Sequence, residues 1–283
     1  MRFTCDANPK HNRINPRIRT GDHHDRSFLG SAVPLTQPGF NEALAQLGGD
    51  APSLWALLTV ETRGFGFLPD RRPKILFERH IFHKRTKGRY SAAHPDISSS
   101  ASGGYQGDAA EYERLERAIK LDRKAALESV SWGLGQIMGF NAVKLGYLDA
   151  EDMVKKFIEG EDQQLDGSRR FIMNNAALES AFQNKNWTKV AFFYNGAAYA
   201  KNAYHTKLEH YCELYTIKGT PSIEIRTAQA YLTYLGFNPR GVDGVLGNGT
   251  RTALIAFQKA QGIPVTADLD HKTMDELSAA AGA

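Results

Sequence analysis

Between residues 37 and 214 apolar side chains recur at the spacing of an α-helix, and glycines or small polar residues end each recurrence. A chain patterned this way folds as an assembly of short packed helices. Phe40, Ala43, Leu44 and Leu47 share one helix face, and Gly48-Gly49 stops it. Asp50 or Ser53 caps a second helix, with Pro52 in its first turn if Asp50 or Ala51 is the cap. Its body, Leu54, Trp55, Leu57, Leu58 and Val60, runs into Glu61 and is broken by Gly64 and Gly66. A Gly/Ser-rich connector covers 88–108. A helix over 109–130 follows, with Leu115, Ala118, Ile119, Ala126 and Val130 on one face. Further helices are expected over 149–160, 161–184, 186–194 and 198–214. Lys218-Gly219-Thr220-Pro221 then reads as a linker, and 222–283 as a small helical domain.

The length of 283 residues fits two domains. Residues 1–36 lack apolar periodicity, and their first 30 are rich in Asn, Arg, His, Asp and Pro, so they read as a basic, loosely ordered arm. Residues 1–90 hold 15 Lys and Arg against 8 Asp and Glu, whereas 91–283 hold 20 against 23. That asymmetry suits an anionic partner (nucleic acid, membrane surface or wall polymer) and equally a solvated basic face. No nucleic-acid module accompanies it, so no nucleic-acid partner is expected. No apolar run approaches the roughly 18 residues of a membrane span, so no membrane insertion is expected. Residues 1–20 carry basic groups without an apolar core, which is not a secretory signal. Cys5 and Cys212 are too few for a disulfide framework and read as free thiols, with one long-range bridge left open.

Three segments carry candidate chemistry. In Leu57-Leu58-Thr59-Val60-Glu61-Thr62-Arg63-Gly64 a carboxylate stands where an apolar helix ends, and the glycines after it allow close backbone approach. An acid for glycoside cleavage must hold its proton near neutrality, which desolvation by apolar neighbours achieves. The alternative is a surface Glu61 paired with Arg63. In Glu128-Ser129-Val130-Ser131-Trp132-Gly133-Leu134-Gly135-Gln136-Ile137-Met138-Gly139 a glycine-rich loop or hairpin can line a groove. There Trp132 offers a face to a sugar ring and Gln136 an amide to an N-acetyl group. The alternative is a plain connector with Trp132 in the core. In Phe192-Phe193-Tyr194-Asn195-Gly196-Ala197-Ala198-Tyr199 aromatic residues flank an Asn-Gly turn.

In this order the motifs resemble those of the goose-type lysozyme and lytic transglycosylase superfamily. More closely, Val60-Glu61-Thr62-x-Gly64, Ile75-Leu76-Phe77-Glu78-Arg79-His80, Ser131-Trp132-Gly133-x-x-Gln136-Ile137-Met138-Gly139 and Tyr194-Asn195-Gly196-x-x-Tyr199 resemble the N-acetylmuramidase family of phage endolysins, over about 37–215. The resemblance implies a mainly α, lysozyme-like α+β domain with a small hairpin over 37–217. It implies cleavage of the β-1,4 bond from N-acetylmuramic acid to N-acetylglucosamine, with Glu61 as the catalytic acid. Ser131, Trp132, Gly133, Gln136, Tyr194, Asn195 and Tyr199 become candidate substrate-binding residues. Two departures stand out. Gly135 replaces a larger residue, often Phe, which is expected to loosen a sugar subsite. Glu128 stands where a small or basic residue is usual, which removes it from a family-wide role.

Glycosidases usually pair two carboxylates. Glu78 is the second candidate, either as a base that activates water or as a buried ion-pair partner of Arg79 or another cation. Glu78, His80 and His83 invite a metal reading, but no further ligand follows at a recognised spacing, so neither a metal nor another cofactor is expected. Cys212, beside Tyr211 and Tyr215, reads as a core thiol.

The tail, with Asp243-Gly244-x-x-Gly247-x-x-Thr250-x-x-Ala253-Leu254-x-x-Phe257-Gln258, resembles the small three-helix peptidoglycan-binding domain of wall hydrolases. Leu232, Leu235, Leu254 and Phe257 are first of all its core. A tethered binder of this kind raises the local concentration of the catalytic domain at an insoluble polymer. The expectation is a monomeric endolysin over 37–217, 218–221 and 222–283. It would accumulate in the host cytoplasm and reach the wall through a separate pore. The alternatives are a lytic transglycosylase that leaves 1,6-anhydro ends, a wall-binding protein with an inactive catalytic domain, and a bacterial toxin of the same chemistry.

Overall fold

The structure is a computed structural model that describes residues 28–282. It opens with α1 (Gln37–Leu47) and α2 (Ala51–Thr62), then β1 (Ile75–Phe77), α3 (Arg79–Arg85), α4 (Ala110–Leu121) and α5 (Arg123–Glu128). Strands β2 (Val130–Trp132) and β3 (Ile137–Met138) follow, then α6 (Ala150–Phe157), α7 (Glu161–Met173), α8 (Ala176–Gln183), α9 (Trp187–Asn195) and α10 (Tyr204–Lys218). The tail forms α11 (Ile223–Tyr234), α12 (Asn248–Gln261) and α13 (His271–Ala281). This is the mainly helical architecture expected, with its small hairpin β2–β3. A third strand extends that hairpin: β1 pairs antiparallel with β2 in the register Ile75↔Trp132, Leu76↔Ser131 and Phe77↔Val130.

Helix α2 is the axis of the first core. Asp50 caps it by accepting from the Ser53 amide, and its body is buried nearly all round, as befits a helix inside a bundle rather than on its surface. Trp55 stacks on Phe40 at 5.1 Å, and α10 runs along the helix, with Thr59 Oγ1 2.8 Å from the Tyr215 hydroxyl. Cys212 is buried there, its Sγ 3.7 Å from Ser53 Oγ; Cys5 lies outside the described residues. A second core gathers around Phe77, Phe82, Tyr112, Trp132 and Phe157 under the sheet.

Polar caps divide two helices that the apolar spacing joined. Asp122 turns extended and accepts from the Ala125 amide, so the segment 109–130 becomes α4 and α5 and ends in a strand. Asn175 accepts from the amides of Ala177 and Leu178, which starts α8 afresh within 161–184. Residues 199–202 form a 3-10 turn, so α10 begins only at Tyr204.

The N-terminal arm differs from expectation over 28–36, and residues 1–27 lie outside the described residues. Phe28 packs against Tyr112 and Trp132 at 5.5 and 5.6 Å, Leu35 is fully buried, and the Ala32 and Val33 amides bond to Ile158 and Glu159. Thr36 then caps α1. Few as they are, these apolar residues are buried against segments distant in sequence, which local periodicity does not reveal.

In the tail, α11–α13 enclose Leu232, Leu254, Phe257 and Leu277. The Gln229 amide holds the Asp-Gly loop: Nε2 reaches Asp243 Oδ1 and Thr250 Oγ1, and Oε1 accepts from the Asp243 and Gly244 amides. Gln258 repeats the arrangement with Thr266, Ala267 and Thr273. Asp243, Gly244 and Thr250 thus shape the domain's own loops.

Candidate active site

Glu61 occupies the last turn of α2. Arg63 and Gly64 follow with positive φ of 58° and 79°, and their amides return to Thr59, and to Leu58, as a helix-ending turn. Thr62 Oγ1 donates to the Leu134 carbonyl at 3.0 Å, which ties the helix end to the tip of the β2–β3 hairpin. Lys74 Nζ donates to the Thr62 carbonyl at 3.1 Å; burial pushes the Lys74 ammonium pKa down. Between these ties Glu61 is half-buried and its carboxyl is enclosed by protein. Burial raises its pKa from 4.5 to about 7, against the opposing hydrogen bond that the Tyr204 hydroxyl donates to Oε1. The apolar helix read in the sequence supplies that burial, and Glu61 is not paired with Arg63.

Two tyrosines stand over the acid. Burial, then the charge of Glu61, raises the hydroxyls of Tyr194 and Tyr204 well above their usual range, so both remain proton donors. Tyr194 donates to the Gly135 carbonyl at 2.9 Å. Tyr194, Asn195 and Gln136 line a cleft of about 430 Å³ together with Phe140, Asn174 and Phe193. Glu61 is not among its walls; Tyr194 is the side chain that joins the two.

The hairpin is built for close approach. A Cβ on Gly133 would lie 2.5 Å from Gln164 Cδ, and one on Gly135 would lie 1.8 Å from Ser168 Oγ. Gly135 therefore does not open a subsite as expected. Its missing side chain is filled by Ser168 of α7, a helix that packs directly behind the hairpin. Gln164, fully buried, accepts from the Leu134 amide at 2.7 Å and donates to the Phe157 carbonyl at 2.9 Å.

One sequence expectation is corrected here, and three further candidates are placed by the structure. Trp132 offers no sugar face: it is fully buried, packs on Phe28, and donates from Nε1 to the Leu127 carbonyl. Alternation along β2 turns it into the second core, the alternative reading of that segment. The Gln136 amide is occupied by its own turn, accepting from Ser131 Oγ at 2.8 Å and donating to the Gly133 carbonyl at 2.9 Å. With φ of +49°, Gln136 needs those bonds to hold a left-handed position. Ser131 is accordingly committed to Gln136. Tyr199 is half-buried with its ring edge against His205 at 5.3 Å, and does not line the cleft.

Glu78 occupies the residue just before α3, past β1, and its side chain makes no hydrogen bond to the helix amides. Both its oxygens lie 2.9 Å from the Tyr105 hydroxyl, and Oε2 lies 3.0 Å from His80 Nδ1. Its close basic neighbour is thus His80, not Arg79, which donates to the carbonyls of Ala101 and Ser102. A buried pair, Glu111–Arg114, fixes the end of β1: Glu111 accepts from the Phe77 amide and Arg114 donates to the Phe77 carbonyl. His83 Nδ1 lies 2.7 Å from Ser91 Oγ, and no three His, Cys, Asp or Glu side chains among the described residues converge to hold a metal.

Tyr204, Gln164, Glu111, Glu161 and Arg226 were not singled out from the sequence. Nothing local marks them. Each stands in an ordinary helical pattern, and its role comes from a partner far along the chain.

Comparison with known proteins bears on this geometry. The family model "N-acetylmuramidase" matches residues 50–216, and the model "Putative peptidoglycan binding domain" matches 222–277. Among solved structures, the crystal structure of the Burkholderia AP3 phage endolysin is 40% identical, covering 66% of this chain and 72% of that one, with a TM-score of 0.60. No curated protein matches the chain.

Proposed function

The chain belongs to the N-acetylmuramidase family, and on that premise we propose how its residues divide the work of cleaving a glycan strand. It is a peptidoglycan hydrolase whose substrate is the wall polymer, built from a muramidase domain and a peptidoglycan-binding domain. No helix among the described residues is long and apolar enough to cross a membrane.

In our reading the catalytic unit covers 37–217 and the wall-binding unit 222–283, joined by 218–221. Residues 28–36 belong with the catalytic unit, because Phe28 and Leu35 lie in its two cores. Glu61 protonates the glycosidic oxygen between N-acetylmuramic acid and N-acetylglucosamine. The observation that carries this role is the enclosed carboxyl at the end of α2, with a pKa near 7, where it can hold and release a proton at neutral pH. Bond cleavage passes through an oxocarbenium-like state, and water completes the hydrolysis. Tyr204 orients the Glu61 carboxyl, and Tyr194 and Asn195 meet the sugar along the cleft. Glu78 is the second carboxylate, with its plane set by Tyr105 and its neighbour His80. It serves as the base toward water.

Mass spectrometry of products from purified peptidoglycan tests this. Reducing muramic acid ends that are lost in Glu61→Gln support the assignment, and 1,6-anhydro ends would make the enzyme a transglycosylase with no water for Glu78 to activate. Glu78→Gln should lower kcat while leaving KM and the melting temperature close to those of the natural protein. Loss of stability at unchanged kcat would assign Glu78 to structure instead.

A further inference from the structure

The peptidoglycan-binding domain is docked against the loop that follows Glu61. Arg226 of α11 is fully buried, and so is Glu161 at the start of α7. The guanidinium donates to both Glu161 oxygens at 2.6 and 2.5 Å, and its Nε donates to the Gly64 carbonyl at 2.7 Å. Glu161 in turn accepts from the Gly66 amide at 2.7 Å and the Leu35 amide at 2.8 Å. Gly64 lies three residues beyond Glu61, within the turn that ends α2. The paired charges therefore grip both ends of the loop 64–66, one charge from each domain.

The surrounding contacts are close. Phe65 and Phe67 share an apolar cluster with Ala230 and Val242, and a Cβ on Gly64 would stand 3.6 Å from the Val242 carbonyl. The Tyr234 hydroxyl donates to the Ala32 carbonyl at 2.9 Å, and Arg71 reaches the Ala281 carbonyl at 2.6 Å. A swinging tether would leave these groups in water. Here a charge pair is desolvated, which is a poor source of stability but an exacting one of geometry, since breaking either half leaves a buried charge alone.

We propose that Arg226 is a positioning residue for the muramidase reaction: the binding domain completes the scaffold of the Glu61 loop, so cleavage depends on it even with a glycan too small to be anchored by it. This rests on Glu61 as the acid. Under the tether reading alone, the tail acts only by raising local concentration, and its loss matters only on insoluble wall.

The test uses soluble, peptide-free glycan strands and the full-length chain. Arg226→Gln should lower kcat about ten-fold or more with KM within about two-fold, because displacing a catalytic group by about 1 Å can cost about a hundred-fold. The alkaline limb of its pH–rate profile should also move to lower pH, because a loosened loop admits water to Glu61. Arg226→Gln leaves Glu161 unpaired, so folding is checked by near-ultraviolet circular dichroism. The double variant Arg226→Met with Glu161→Met, which replaces the pair by apolar side chains, gives a second reading. Arg251→Gln, which removes an exposed pair with Asp268 and a bond to the Ala267 carbonyl, both within the tail and away from the Glu61 loop, should leave the rate unchanged. If the folded Arg226 variants keep the natural kcat and alkaline limb on soluble strands, the proposal is overturned, whatever happens to wall binding. If the natural protein itself releases no reducing ends from those strands while cleaving wall, the acid assignment stands and the tether reading wins. If it cleaves neither, the muramidase reading is the one that fails.

Discussion

Replacing Glu61, the proposed catalytic acid, should make the protein more stable, by an amount that follows from its burial. Burial raises the Glu61 pKa from 4.5 to about 7 in the folded chain. Below pH 4.5 the carboxyl is protonated whether the chain is folded or not, and it costs nothing. Between about 4.5 and 7 the folded chain holds a proton that the unfolded chain releases, so stability falls as pH rises. Above about 7 the charged form must be buried on folding and the penalty is complete. At about 1.4 kcal/mol per pH unit it reaches ~3 kcal/mol. Glu61→Gln keeps an oxygen for the Tyr204 hydroxyl and removes the charge. Urea denaturation of both proteins at pH 4 and pH 8 reads the difference. The variant should match the natural protein at pH 4 and exceed it by about 3 kcal/mol at pH 8. Equal stability at both pH values would mean that the carboxyl is well solvated, and the basis for its acid role would go with it.

Tyr204→Phe removes a hydrogen bond that favours the Glu61 carboxylate, so the alkaline limb of kcat should move up by about one pH unit; an unmoved limb would separate Tyr204 from the acid. Trp132→Ala should cost about 3 to 5 kcal/mol of stability, as for a buried aromatic, with KM little changed in whatever fraction stays folded. A raised KM at natural stability would restore the sugar-face reading. Gly135→Ala should displace the hairpin tip and lower kcat, because its Cβ would meet Ser168 Oγ at 1.8 Å, and Ser168→Ala added to it should recover part of the loss. The absence of recovery would place the effect elsewhere.

The acid was legible because its environment is local. Leu57, Leu58 and Val60 precede Glu61 on one helix, and the turn of Arg63 and Gly64 that ends it is written in the next residues. The Asp50 cap and the Gly48 stop follow the same logic, since a cap satisfies amides two or three residues away. The Asp-Gly loop of the tail was equally visible, although the Gln229 side chain that holds it was not. The misread residue, Trp132, has a side chain suited to sugar. Its direction depends on the register of β2 with β1 and β3, which no window of sequence contains.

What the sequence determined by itself was the helical class, the division into two families of segment, and Glu61 at a desolvated helix end. The tertiary structure alone decided the polar partners of that carboxyl and of the loop behind it. The Tyr204 hydroxyl comes from 143 residues away, and the guanidinium that grips the loop behind it lies 65 residues from Glu161 and 162 from Gly64. The physical reason is that periodicity and capping record interactions within a few residues of chain. A buried hydrogen bond or ion pair is satisfied by whichever partner the packing of helices brings near, and that choice is made only when α2, α7, α10 and α11 meet.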